Sequence, residues 1–188
     1  QGWTWAQMNA EIRHLACGLH AEGLARGMNL AIIGDNRPRL YWGIAAAQSL
    51  GAVPVPMYQD AITDEIEYVI TNANITYAIV EDQEQVDKLN EIFTANEQLK
   101  RVYYDDPRGL KNYKDNFLLA YSQLRQIGKD YDSKNPTFFL EEINKGKSSD
   151  TSIILYTSGT TVKPKGVCLT HSAWIAAAKV DIKFDKLS

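Results

Sequence analysis

Long apolar runs, clustered metal ligands and an excess of positive charge are all missing from this chain, and each absence removes a class of function. No apolar stretch reaches the ~18 residues needed to cross a bilayer, because Gln48 and Ser49 interrupt the longest candidate. The only cysteines, Cys17 and Cys168, form no CxxC pair and no metal-ligand spacing, so neither a disulfide framework nor a zinc site is indicated. Both read as small buried residues in a reducing compartment, which suggests a cytoplasmic protein. Lys and Arg number 20 against 23 Asp and Glu, a net charge of −3, so there is no general attraction to nucleic acid or anionic membrane. Internal repeats and low-complexity tracts are absent. The first residue, Gln1, falls inside an amphipathic helix pattern, with no initiator Met and no signal peptide. The sequence therefore reads as a piece of something longer.

What remains is an ordinary globular balance, 45% hydrophobic and 23% charged, and enough chain for a substantial core in one domain. Apolar periodicity alternates between three- to four-residue steps and short β-branched runs. Trp5, Met8, Ile12, Leu15 and Leu19 predict a helix over about residues 4–24, capped by Thr4 and ended by Gly23 or Gly27. His14 and His20 on this helix lack ligand partners at useful spacing and read as surface or packing residues. Residues 30–33 predict a buried strand; Asn36 is a candidate cap for the next helix, with Pro38 in its first turn. Gly34 and Asp35 could face a ligand, but turn chemistry explains them first. Residues 52–57 contain Pro54 and Pro56, which confine that extended run to an edge or irregular strand.

Further along, Ile62, Ile66, Val69, Ile70 and Ala73 mark one face of a helix with Asp64 and Glu65 in its first turn. Residues 77–80 and 101–104 predict strands, and Val86, Leu89, Ile92 and Phe93 a helix between them. The pairs Glu81/Asp82, Asp105/Asp106 and Glu141/Glu142 sit at helix starts or turns and read as solvated. Residues 105–116 predict a surface loop, 117–127 a helix, 128–136 a polar connection and 138–143 a short helix. The alternation implies an α/β fold, a mainly parallel sheet with helices on both faces. Such sheets bind ligands outside the carboxyl ends of their strands.

The most distinctive stretch is Tyr156-Thr157-Ser158-Gly159-Thr160-Thr161-Val162-Lys163-Pro164-Lys165-Gly166. A buried strand over residues 152–156 precedes it; a second strand at 167–169 and a helix opening at Thr170 follow. Hydroxyls and free backbone N–H groups can donate to phosphate oxygens, and Lys163 or Lys165 can neutralise charge. A polar hairpin turn without ligand is the competing explanation. A Walker A loop is excluded: counting from Gly159, the position of its second glycine is Pro164.

Residues 156–167 resemble the phosphate-binding signature of adenylate-forming enzymes, Tyr-Thr-Ser-Gly-Thr-Thr-Gly-x-Pro-Lys-Gly-Val, at every position but Val162. The stretch GDNRPRLYWGIAAAQSLGAVPVPMYQ also resembles the early part of that family's large domain. YAIVEDQEQVDKL is similar to long-chain fatty acyl-CoA synthetases of bacterial type. The resemblance implies that residues 1–188 are the N-terminal part of an AMP-binding large domain. It implies ATP-dependent ligation of a fatty acid to coenzyme A through an acyl-adenylate. Thr157, Ser158, Gly159, Thr160, Thr161, Lys163, Lys165 and Gly166 would hold the nucleotide phosphates, with Thr157 also positioning Mg2+. His171, after the loop, reads as a capping or packing residue. No catalytic residue is expected within these 188 residues, and the chain alone is expected to lack ligase activity. Fatty acid, ATP and CoA are the expected partners; peripheral membrane contact and a homodimer stay open. The alternatives are an aryl-CoA ligase, a carrier-loading adenylation domain, or a non-catalytic nucleotide-binding module with a degenerate loop.

Val162 is the departure that matters. If the family's glycine takes φ > 0 or lets the backbone approach phosphate closely, a β-branched residue there is strained by ~1–3 kcal/mol. Val162→Gly is therefore expected to bind Mg·ATP more tightly than the natural chain in a calorimetric titration; equal affinities would refute the strain.

Overall fold

Short aliphatic runs separated by amphipathic helices build five parallel strands in the computed structural model, which describes residues 2–95, 98–157 and 163–184. The strands are β1 (Asn29–Ile33), β2 (Val53–Met57), β3 (Ile75–Val80), β4 (Arg101–Tyr104) and β5 (Leu118–Ala120), in the order β2-β1-β3-β4-β5. Side chains alternate between faces with period two. Leu30, Ile32, Tyr77, Ile79 and Tyr103 enter one core, and Ala31, Ile33, Ala78, Val80 and Val102 the other. Helices α1 (Trp5–Ala21), α2 (Pro38–Ser49), α5 (Tyr121–Lys134) and α6 (Phe138–Asn144) supply the first core; α3 (Thr63–Asn72) and α4 (Gln83–Ala95) cover the second. The expected mainly parallel sheet with helices on both faces is what the chain forms.

Local signals explain most boundaries. The Thr4 hydroxyl accepts from the Gln7 N–H while the Gln7 carboxamide accepts from the Thr4 N–H at 2.8 Å, a reciprocal cap for α1. Gly23, at φ +105°, ends that helix. Asp64 and Glu65 do fall in the first turn of α3. At the sheet edge, the Val53 N–H donates to Met28, so the alternating Pro54 and Pro56 turn their missing donors away from β1. Beyond that edge lies an antiparallel hairpin, β6 (Thr151–Thr157) and β7 (Lys165–Thr170), followed by α7 (His171–Phe184). The Gln48 carboxamide of α2 donates to the Ser152 hydroxyl at 2.9 Å and so holds the start of β6 against the sheet.

Several expectations need correction. Asn36 does not cap α2: Arg37 occupies that position without a side-chain cap, and Asn36 Oδ1 accepts from the Tyr41 hydroxyl instead. Ile62 precedes α3 and is exposed. Residues 118–120 are a strand rather than helix, and α5 runs through the supposed polar connection to Lys134. Gly128 inside α5 resembles a breaker but answers a packing need. A Cβ there would lie 1.6 Å from the His14 carbonyl oxygen, and one on Gly18 would lie 2.4 Å from the Leu124 carbonyl oxygen. The two glycines let α1 and α5 touch backbone to backbone. Arg13 and Asp132 (2.7 Å) and Arg125 and Glu11 flank this contact as ion pairs.

Because the obstructing atom at Gly128 is main chain, it cannot yield by a rotamer change. Gly128→Ala is expected to lower stability by ~3 kcal/mol or more, read as a lower urea midpoint.

Candidate functional site

The carboxyl ends of β1 and β3 form the point where the chain reverses its direction of travel across the sheet, the usual ligand crevice of such folds. Here a side chain fills it. Glu81, following β3, accepts from the Asp35 N–H at 2.7 Å and from Arg37 Nε at 2.7 Å. Its side chain is only 13% exposed. Gly34 makes this approach workable: at φ +152°, a Cβ would lie 2.6 Å from Glu81 Cβ and 2.7 Å from Leu40 Cδ1. Asp105, following β4, is likewise sequestered, 16% exposed and paired with Arg39. Glu142 joins Arg26 and Lys145. These three acids are therefore ion-paired and mostly covered, not solvated, because arginines on neighbouring elements reach them.

Open space lies one strand further on. A cavity of about 470 Å³ sits at the carboxyl ends of β1 and β2, beside the end of β6. Ile32, Ile44, Met57 and Leu155 form its apolar side, while Asp35, Asn36 and Thr157 contribute polar groups.

The hairpin brings part of the anticipated phosphate-binding set together. Thr157 ends β6 directly opposite Lys165, the first residue of β7, and both are exposed. Lys163 places its Nζ 5.1 Å from the centre of the Tyr68 ring on α3. Among the described residues neither lysine forms an ion pair. Gly166 stands opposite Tyr156, where a Cβ would press on that ring at 3.1–3.2 Å. Ser158, Gly159, Thr160, Thr161 and Val162 lie outside the described residues. Thr170 Oγ1 accepts from the Ala173 N–H at 3.2 Å and caps α7, next to His171.

Other candidates do not assemble a centre. His20 meets Tyr131 edge-on and packs at a tilt on Phe138, and burial, then Arg125, pushes the His14 pKa below its ordinary value. Both are packing residues. Cys17 is buried, and burial pushes its thiol up to about 11. Cys168, expected to be buried, is exposed on β7, whose side chains from Lys165 to Cys168 no described element covers. Among the described residues no three His, Cys, Asp or Glu cluster to hold a metal, and no helix is long and apolar enough to cross a membrane.

The family model of AMP-binding enzymes matches residues 1–186, which include the whole β6–β7 hairpin. The chain belongs to that family. A long-chain-fatty-acid–CoA ligase of Xenopus laevis is 30% identical over 95% of this chain and 24% of its own length. A 2-succinylbenzoate–CoA ligase of Listeria monocytogenes is 29% identical over 94% of the chain and 31% of its own length. The chain thus spans about a quarter to a third of these relatives. An anthranilate CoA ligase, solved in complex with anthranoyl-AMP, has the same fold with a TM-score of 0.74, at 18% identity, over 95% of this chain and 32% of its own. Family membership thus rests on the whole chain, not on the turn alone. Tyr68 and Asn72, which contact the hairpin, went unrecognised in the sequence because their helix reads as a simple amphipathic cover.

The Gly34 approach is expected to tolerate no side chain. Gly34→Ala should destabilise the AMP-binding domain by ~1–3 kcal/mol, seen as a lower urea midpoint at unchanged slope.

Proposed function

We propose that this chain is the N-terminal part of the large domain of an ATP-dependent acyl-CoA ligase, and that its β6–β7 hairpin holds the triphosphate. The observation that carries this reading is the hairpin itself: Thr157 and Lys165 face each other, exposed, at the two ends of the signature turn. A hydroxyl donor and an ammonium group that forms no ion pair among the described residues suit phosphate oxygens at that spacing. Lys163 adds a second cation within the same turn. In the reaction, a carboxylate attacks the α-phosphorus of ATP, pyrophosphate leaves, and the thiol of coenzyme A then displaces AMP. Lys165 offsets the charge of departing pyrophosphate, and the Thr157 hydroxyl would be an oxygen donor to Mg2+, which would neutralise phosphate charge. Positioning and charge neutralisation are the protein's contribution.

For the acid, we favour a long-chain fatty acid, supported by the similarity to long-chain-fatty-acid–CoA ligases along nearly the whole chain. A second reading, an aromatic acid, is favoured by the Listeria relative, whose similarity is almost equal. Carboxylate-dependent ATP–pyrophosphate exchange by the complete polypeptide separates them, with acids from acetate through palmitate to benzoate. Exchange with palmitate and not with acetate or benzoate is the expected outcome. Exchange with benzoate alone would support the second reading, and none with any acid would overturn ligase function.

A further inference from the structure

We infer that Tyr68 and Asn72 of α3 are positioning residues that set the hairpin's place relative to the parallel sheet; this rests on the nucleotide reading above. The two residues are four apart, one above the other on a single helix face. The Tyr156 hydroxyl donates to Asn72 Oδ1 at 2.6 Å, and the Lys163 ammonium lies over the Tyr68 ring at 5.1 Å. Tyr156 and Lys163 stand on opposite sides of the signature turn. One face of one helix therefore engages both of its ends.

The edge of the sheet makes such anchoring necessary. The β6–β7 ladder fixes the two strands against each other, from Thr151 opposite Thr170 to Thr157 opposite Lys165. It does not fix them against β2, whose outer edge carries Pro54 and Pro56 and so lacks their ladder donors. Side chains have to do this instead. Gln48 holds the start of β6 through Ser152, and Asn72 holds its end through Tyr156. Gly166 opposite Tyr156 leaves the ring room to lie across β7. Burial, then Tyr68, raises the Tyr156 phenol pKa, so its hydroxyl stays a donor throughout the neutral range. Tyr68 offers the Lys163 ammonium a ring face, and among the described residues no carboxylate pairs with it to compete with phosphate.

The test uses the exchange reaction of the complete polypeptide, following KM for Mg·ATP and KM for the acid separately. Tyr68→Leu and Asn72→Ala are each expected to raise KM for Mg·ATP about three- to tenfold, with KM for the acid unchanged. Tyr68→Phe, which keeps the aromatic face, and Asn72→Asp, which keeps the acceptor oxygen, should retain natural values. In a Lys163→Gln background, Tyr68→Leu should add almost nothing, since the partner is already gone. If the natural enzyme exchanges but these variants leave KM for Mg·ATP unmoved, the positioning role is overturned and the nucleotide reading stands. Equal loss in both KM values with a lowered melting temperature would reduce the two residues to scaffold and overturn it as well. No exchange by the natural enzyme would overturn the nucleotide reading, and this inference with it.

Discussion

Burial of one parallel sheet on both faces is the constraint on which the rest of this fold depends. A parallel sheet covered on both faces has no wet side, so the buried residues of β1 and β3 have to suit one core or the other. Leu30 and Ile32 face α1, α2 and α5 while Ala31 and Ile33 face α3 and α4. Polar chemistry is thereby driven out of the strands and into the turns at their carboxyl ends. Asp35, Arg37, Glu81, Asp105 and Arg39 all appear there, within a few residues of a strand terminus. The charged layer is a consequence of the two-faced core, not an addition to it.

That layer also decides where free space is. Glu81 occupies the crevice between β1 and β3 and satisfies the Asp35 N–H. A ligand would have to displace a carboxylate already bonded to a main-chain donor and a guanidinium, which costs more than occupying an empty neighbour. The neighbour is the cavity between β1, β2 and the end of β6. It exists because β6 is not a continuation of the sheet: the two prolines of β2 prevent a full ladder, and β6 stands against that edge through side chains. The same irregularity lets the hairpin carry Thr157 and Lys165 at its exposed end.

Much of this was legible from sequence, for identifiable reasons. Short continuous apolar runs located β1, β3 and β4, period-3.6 patterns located α1 to α4, and turn chemistry at Thr4, Gly23 and Pro38 located helix ends. The readings that failed did so where tertiary contact overrode local signal. Leu118, Leu119 and Ala120 have no strand bias strong enough to stand out, and become β5 because β4 has a free edge beside them. Gly128 and the polar residues around it look like a break, yet α1 needs the missing Cβ. Glu81, Asp105 and Glu142 looked solvated because their arginine partners lie 44, 66 and 116 positions away. No local window contains that information. Of the site, Thr157, Lys163, Lys165 and Gly166 could be recognised by motif, whereas Tyr68 and Asn72 could not, since nothing on α3 differs from an ordinary amphipathic helix until the hairpin is placed against it.

A motif of this kind also mixes physical causes that the sequence presents as one string. Gly166 shows the distinction. Its φ is not in the left-handed region, so no conformational demand requires glycine there. The crowding comes from across the ladder, where a Cβ would lie 3.0 Å from Ile154 Cγ2 and 3.1–3.2 Å from the Tyr156 ring. That ring in turn is aimed by its hydrogen bond to Asn72. The end of the signature is thus tied to its beginning, and its beginning to a helix residue 84 positions earlier, through contacts that involve no ligand. Thr157, Lys163 and Lys165 are exposed, whereas Tyr156 is hydrogen-bonded to α3 and Gly166 packs against its ring. Part of what makes the signature recognisable is therefore architecture, and a chain can lose phosphate contacts while keeping its ends in place.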